Sequence, residues 1–420
     1  MDNKKNKIIK WWIIYGLIWG CIVIIISLLG EDKEISYMPI RIRYMQNMMD
    51  FFNGKSELWE LRSHNASYYF YLAIFAKCFN IQSPEKVFLI VQTLAAGINV
   101  VFYPIIFYYL FEYNKWIAMF SPVFWLLCEG PCLVYLQADT YWSLAWTVSM
   151  ALPLLFILIK RKWDGISNLL YLLILIIMSV GNLPRNHSSL AIFAITIAVV
   201  GWKLKKKELE NSFLYGIRKG SIVLVGIIAY CMLVSVIPKC YMQITGQEGL
   251  VSNYGPWHTI YISYGFEDNP YGITFRDECA KEKVNEIMPG TEYLSEEYFE
   301  ILKKECFRMW KENPIYFIGS YCRKMLICIK TVLAKKSNAI SITVVVMIEV
   351  LKKIMGRKHI GLNHKQFFLM AIFAFLIEAV FPLIAIPSIV YLEGMLAAWG
   401  IILILLLCCS LEGLLCKRSM

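Results

Sequence analysis

Residues 8–29 read IIKWWIIYGLIWGCIVIIISLL, an apolar run broken only by Lys10 and followed by Gly30-Glu31-Asp32. About 20 such residues, at ~1.5 Å per helical residue, cross the ~30 Å hydrocarbon core of a bilayer. The run is longer than the apolar stretch of a usual signal peptide, and no small-x-small cleavage pattern follows it, so it reads as a retained first span. Lys4, Lys5 and Lys7 precede it and place its start in the cytoplasm, which delivers Gly30 to the outside.

The rest of the chain repeats this pattern. It has 420 residues, of which 58% are hydrophobic and 17% charged, and its mean hydropathy is +0.54. Soluble domains carry about 25% charged residues, so this chain cannot coat a soluble surface of its size. A soluble enzyme, a coiled coil and a disordered protein are excluded. The net charge of +11 reads as basic loops that orient spans, not as a nucleic-acid footprint. Clusters at Lys160-Arg161-Lys162, Lys203 to Lys207, Lys352-Lys353 with Arg357-Lys358, and Lys417-Arg418 are all placed inside.

These clusters fix the expected topology. After the first span, stretches 87–111, 116–135 and 141–159 cross. The stretch 67–80 is too short to cross and is expected as an interfacial or re-entrant helix on the outer face, its Tyr68, Tyr69, Phe70 and Tyr71 suiting that interface. Spans follow at 166–181, 188–202, 219–237, 338–351, 366–386 and 391–411. The fold class is therefore all-α integral membrane, with about ten spans, interfacial helices and both termini inside. Three regions are expected. Residues 1–237 form a transmembrane module whose first external loop covers 30–66. Residues 238–337 form one extracytoplasmic segment, with a helical charged stretch at 276–312 and a membrane-surface helix at 315–334. Residues 338–420 carry the last spans.

The 13 cysteines lie mostly in apolar runs and form no CxxC pair, so zinc and haem sites have no support. Cys240, Cys279 and Cys306 fall in the polar segment, where pairing is possible but not required.

Alternation collects polar residues on the outer face: Glu31, Asp32, Arg41, Arg43, Arg62, His64, Asp139, Arg185, His187, Trp257, His258 and Asp277. Carboxylates suit a general base acting on a hydroxyl, and Arg suits a leaving phosphate. Several of them have a plainer reading beside the functional one. Glu31 and Asp32, followed by Lys33-Glu34, also mark the water edge of a span. Asp139 sits among span-end aromatics. Arg185 can snorkel. Trp257-His258 can be a packed aromatic with a satisfied histidine. Glu378 lies inside span 366–386, where it must face protein or water, as a structural group or a site.

The order of these parts resembles the multi-spanning GT-C glycosyltransferases, which use polyprenyl-phosphate sugars. An acid near the start of the first external loop is matched by Glu31-Asp32. A motif of the His-Pro-Pro-Leu-Tyr-Tyr type is matched by His64, Tyr68 and Tyr69, with Asn65 and Ala66 or Ser67 where the prolines stand. Asp139 takes the place of a second acid, and Pro387 with Tyr391 that of the closing element. The resemblance implies inverting sugar transfer to an extracytoplasmic acceptor (glycan, lipid or protein). Asp32 or Glu31 would be the base and Asp139 an accessory acid. Arg62, His64, Arg185, His187, Trp257 and His258 would be the substrate-binding set, with Arg62, Arg185 and His187 on the phosphate. The lipid tail would lie near 67–80 and 315–334. Some family members use a divalent cation, Mg or Mn, and others none. A transporter or flippase, pointed to by Glu129-Gly130-Pro131 and Glu378, and an O-antigen-ligase-like or polymerase-like transferase are the alternatives.

Overall fold

A chain this apolar must satisfy its backbone polar groups internally, and in hydrocarbon a helix does so within one segment. The computed structural model describes residues 2–29, 39–55, 66–129, 142–185, 187–205, 256–356 and 364–415, and among them every regular element is helical. In chain order these are α1 (Asp2–Leu29), α2 (Pro39–Phe52), α3 (Ala66–Cys78), α4 (Pro84–Leu110), α5 (Lys115–Cys128), α6 (Trp142–Lys160), α7 (Gly165–Asn182) and α8 (Leu190–Lys205). There follow α9 (Pro256–Ser263), α10 (Asp277–Ile287), α11 (Glu296–Glu312), α12 (Pro314–Leu333), α13 (Lys336–Ile354), α14 (Lys365–Glu378), α15 (Val380–Ile384) and α16 (Glu393–Leu415).

Six stretches among the described residues are long and apolar enough to cross a membrane: α1, α4, α6, α7, α14 with α15, and α16. The pair α12 and α13, bent by 62°, makes a seventh if it counts as one span. The molecule is an all-α membrane protein. The expected crossing at 116–135 appears as the shorter helix α5, with residues 130–141 outside the described set. The expected crossing at 188–202 is the 16-residue α8, and 219–237 lies outside the described residues.

The spans alternate in direction. Gly16 of α1 lies against the backbone of Val101 and Gly20 against Gly97, so α1 and α4 run antiparallel, with small residues letting their backbones approach. Thr147 of α6 faces Gly181 of α7, and Ser143 meets Ser188 just before α8, Oγ to Oγ at 2.7 Å. At the opposite ends, Lys160 donates to the Leu110 carbonyl at 2.8 Å and Lys203 to the Arg161 carbonyl at 2.5 Å. Helix ends therefore gather on two faces.

α6 and α16 form the centre. α6 is buried from Trp142 to Leu158, as befits a helix apolar all round, and contacts α4, α7, α8, α14 and α16. α1 is peripheral: Trp11, Ile18 and Leu29 are exposed, as lipid-facing residues are. α3 packs on α2 and α4. Tyr68, Tyr69 and Phe70 are buried there, against Phe88, Tyr44 and Phe52. The aromatic run expected at a membrane surface instead cements this corner, because α2 supplies a covering layer that sequence spacing does not reveal.

Outside the spans, α9, α10 and α11 form a small module with its own core of Tyr261, Tyr264, Val284, Leu302, Cys306 and Met309. The stretch 276–312 is two helices, broken where Pro289 is followed by Gly290 at φ +84 and, further on, Leu294 at φ +66. Cys279 and Cys306 are free thiols. α12 carries exposed Ile315, Ile318, Leu326 and Leu333, spaced to form one apolar stripe.

Candidate functional site

The site builds up where α6, α7, α8, α14 and α16 end on the face carrying this module. Apolar α7 stops at Asn182, and the polar run Leu-Pro-Arg-Asn-His turns the chain into α8. Asn182 Oδ1 accepts from the Ser189 amide at 3.0 Å, and Ser188 N–H donates to the Arg185 carbonyl at 3.0 Å. The turn is thus held by its own polar groups. It presents His187 flat against Phe381 of α15, ring centroids 4.1 Å apart. Burial pushes the His187 imidazole down to about 4, with the nearby Arg185 charge adding to the shift, so the ring is neutral at physiological pH. Its Nε2 is buried with no hydrogen bond among the described residues.

Two carboxylates stand beside this turn. Glu378, the last residue of α14, is buried and accepts from the backbone of Ala191 at the start of α8. Its carboxylate occupies the space a Cβ on Gly394 would need. Glu393, the neighbour of Gly394 and first residue of α16, is fully buried, and neither of its oxygens has a hydrogen bond among the described residues. A buried carboxylate is costly unless a positive charge or a proton accompanies it. Arg185 and Lys335 are the cations close enough to act on Glu393.

A second connection ties the module to this corner. Lys324 of α12 is fully buried. Its Nζ donates to Ser263 Oγ at 3.1 Å, to the Leu383 carbonyl at 3.2 Å and to the Ala385 carbonyl at 3.0 Å. It thereby links α9 to the carbonyl end of α15, two residues beyond Phe381. Next to it, Arg323 grips Glu267 through two nitrogens at 2.6 and 2.9 Å.

The structure therefore brings Arg185 and His187 together with Glu378. Trp257 and His258 lie at the far end of α9. His258 is buried, its Nδ1 paired with the Tyr298 hydroxyl at 2.8 Å and its Nε2 with Asp277 at 3.1 Å. Trp257 packs with Phe307 and Trp310. Glu31, Asp32, Arg62, His64 and Asp139 lie outside the described residues. Among the described residues no three His, Cys, Asp or Glu side chains form a metal-holding group.

Glu393, Lys335 and Lys324 were not singled out from sequence. Glu393-Gly394 opening an apolar span was the available signal: an acid at a span start beside a residue with no side chain. Deeper in the bundle the same helix receives Glu129, which accepts from Tyr103 at 2.5 Å and Ser149 at 2.8 Å and lies against Gly400. No family model, curated protein or solved structure matches the chain.

Proposed function

We propose that this protein is a membrane glycosyltransferase of GT-C-like layout. It moves a sugar from a polyprenyl-phosphate donor to an acceptor at the outer face of the cytoplasmic membrane, with both termini in the cytoplasm. The observation that carries the reading is the corner where Arg185, neutral His187, Glu378, Glu393 and Lys335 converge beneath an extramembrane module. Cations and acids held together at a span end suit a reaction that releases a lipid phosphate. In the transfer, a carboxylate, Asp32 or Glu31, removes the acceptor hydroxyl proton. The hydroxyl oxygen attacks the anomeric carbon, the bond from that carbon to the phosphate oxygen breaks, and polyprenyl phosphate leaves. Arg185 offers a planar guanidinium to the phosphate charge. Asp139 is an accessory acid, and Arg62 and His64 complete the donor site.

The test is transfer of a labelled polyprenyl-phosphate sugar by the purified full chain in lipid. Removing a general base costs ~10²–10⁴ in rate, so Asp32→Asn or Glu31→Gln is expected to fall by at least ~10². Full transfer by both variants would overturn the base assignment.

Transport of a lipid-linked or polar substrate is the second reading, favoured by the buried acids Glu129, Glu378 and Glu393 along α16, since ionisable groups inside a bundle often mark a pathway. Substrate movement across proteoliposomes without sugar transfer, lost in Glu129→Gln, would support it over the first.

A further inference from the structure

On the face opposite that corner, α6, α8 and α14 enclose an apolar groove of about 290 Å³ lined by Ile159, Ala198, Val199, Trp202, Leu369 and Phe373 among others. That volume is at the small end of ligand pockets (~300 Å³). Leu369 and Phe373 are exposed, so the groove opens sideways, where lipid chains lie. Its walls end in basic residues at one level. Ile159 is followed by Lys160, Arg161 and Lys162; Trp202 by Lys203; and Lys365 precedes Leu369 by one helical turn on the same face.

Most of these cations are engaged. Lys160 binds the Leu110 carbonyl and Glu112. Arg161 holds Asp164 at 2.5 Å. Lys203 is buried on the Arg161 carbonyl and lies 5.1 Å from the Trp202 ring. Lys162 of the α6–α7 turn and Lys365 of α14 are exposed, and the side chain of neither pairs with another among the described residues. Of the acids at this rim, Asp164 is already paired with Arg161 and Glu112 with Lys160.

We propose that this groove is a binding site for an anionic phospholipid, one acyl chain lying along Val199, Trp202 and Phe373 and the headgroup phosphate between Lys162 and Lys365. Apolar walls alone would take any lipid chain. The paired lysines select net negative charge, because a zwitterionic headgroup brings its own cation to the same place. The site is independent of the transfer chemistry proposed above and lies on the other face of the bundle.

The experiment uses the full-length protein in nanodiscs of phosphatidylcholine, with a fixed fraction of brominated phosphatidylglycerol or brominated phosphatidylcholine. Bromine quenches nearby tryptophan fluorescence, and subtracting the Trp202→Phe signal isolates Trp202. The expected result is Trp202 quenching several-fold stronger for phosphatidylglycerol. Each basic side chain near a membrane anion contributes about fivefold in partitioning, so Lys162→Gln with Lys365→Gln removes the preference while quenching by phosphatidylcholine remains. Ala198→Phe, which fills the groove, lowers quenching by both. Equal quenching by the two lipids in the wild type, a preference that survives the double lysine variant, or no Trp202 quenching by either lipid would each overturn the proposal. The last outcome would show the groove closed by another part of the chain.

Discussion

His187 shows how one side chain couples the corner to pH. Its ring is pressed on Phe381, and burial together with Arg185 lowers its pKa from the ordinary 6.5 to about 4. The unfolded chain titrates near 6.5, so between pH 6.5 and about 4 the unfolded state binds more protons than the folded one. The stabilising contribution is complete above pH 6.5 and is lost as pH falls toward 4 and below. Thermal unfolding of the full chain in detergent micelles should show a melting temperature that drops through this window. His187→Gln, uncharged at every pH, should flatten that part of the profile. An unchanged slope in the variant would place the titration elsewhere. The sequence marked His187 and Arg185 as unusual because both stand in a polar turn between strongly apolar spans. It could not supply Phe381 or Glu393, which reach them from segments about 200 residues later in the chain.

At the level of elements, α16 is built to receive charge. Gly394 makes room for Glu378, Gly400 for Glu129 and Gly413 for Lys352. Each close approach depends on a missing Cβ, and the partner comes from a different helix each time. Lys324 does the corresponding work for the extramembrane module. Its three acceptors join α9 to the end of α15, where the backbone carbonyls past the last turn have no amide partners of their own. Replacing it with Met keeps most of the volume and strands two buried carbonyls and a hydroxyl. Hydrogen bonds to charged groups contribute ~1.5–3 kcal/mol each, so Lys324→Met should expose the 256–266 segment and residues 380–385 to hydrogen exchange together, while α6 stays protected. Exchange unchanged in both segments would remove the linking role. The lysine looked from sequence like one of several charges that made α12 amphipathic. Helical periodicity gives the face on which Lys324 lies, but not that α9 and α15 close over it, since those contacts are set by tertiary packing.

Across the whole molecule, the alternation of spans was legible from the apolar blocks and their basic ends, because hydrocarbon thickness and charge cost fix both at the sequence level. Less legible was the burial of α3, because a neighbouring helix can shield aromatic rings that lipid would otherwise meet. The helix ends nonetheless sort onto two faces. Lys160, Lys203 and the His364–Glu412 pair (3.5 Å) lie at one end of the bundle, and Lys324, Glu378 and Ser188 at the other. Exposed Lys304 and Lys311 of the module therefore belong to one side of the membrane, and exposed Lys162 and Lys365 to the opposite side. An amine reagent that cannot cross the membrane, applied to intact cells and then to inverted vesicles, separates them by mass spectrometry of the modified peptides. With the basic face inside, Lys304 and Lys311 should react in cells and Lys162 and Lys365 only in inverted vesicles. The reverse pattern would keep the fold and invert the proposed orientation, placing the Arg185 corner in the cytoplasm, where an extracytoplasmic acceptor could not reach it. Reaction of both sets from one side would break the two-face arrangement itself.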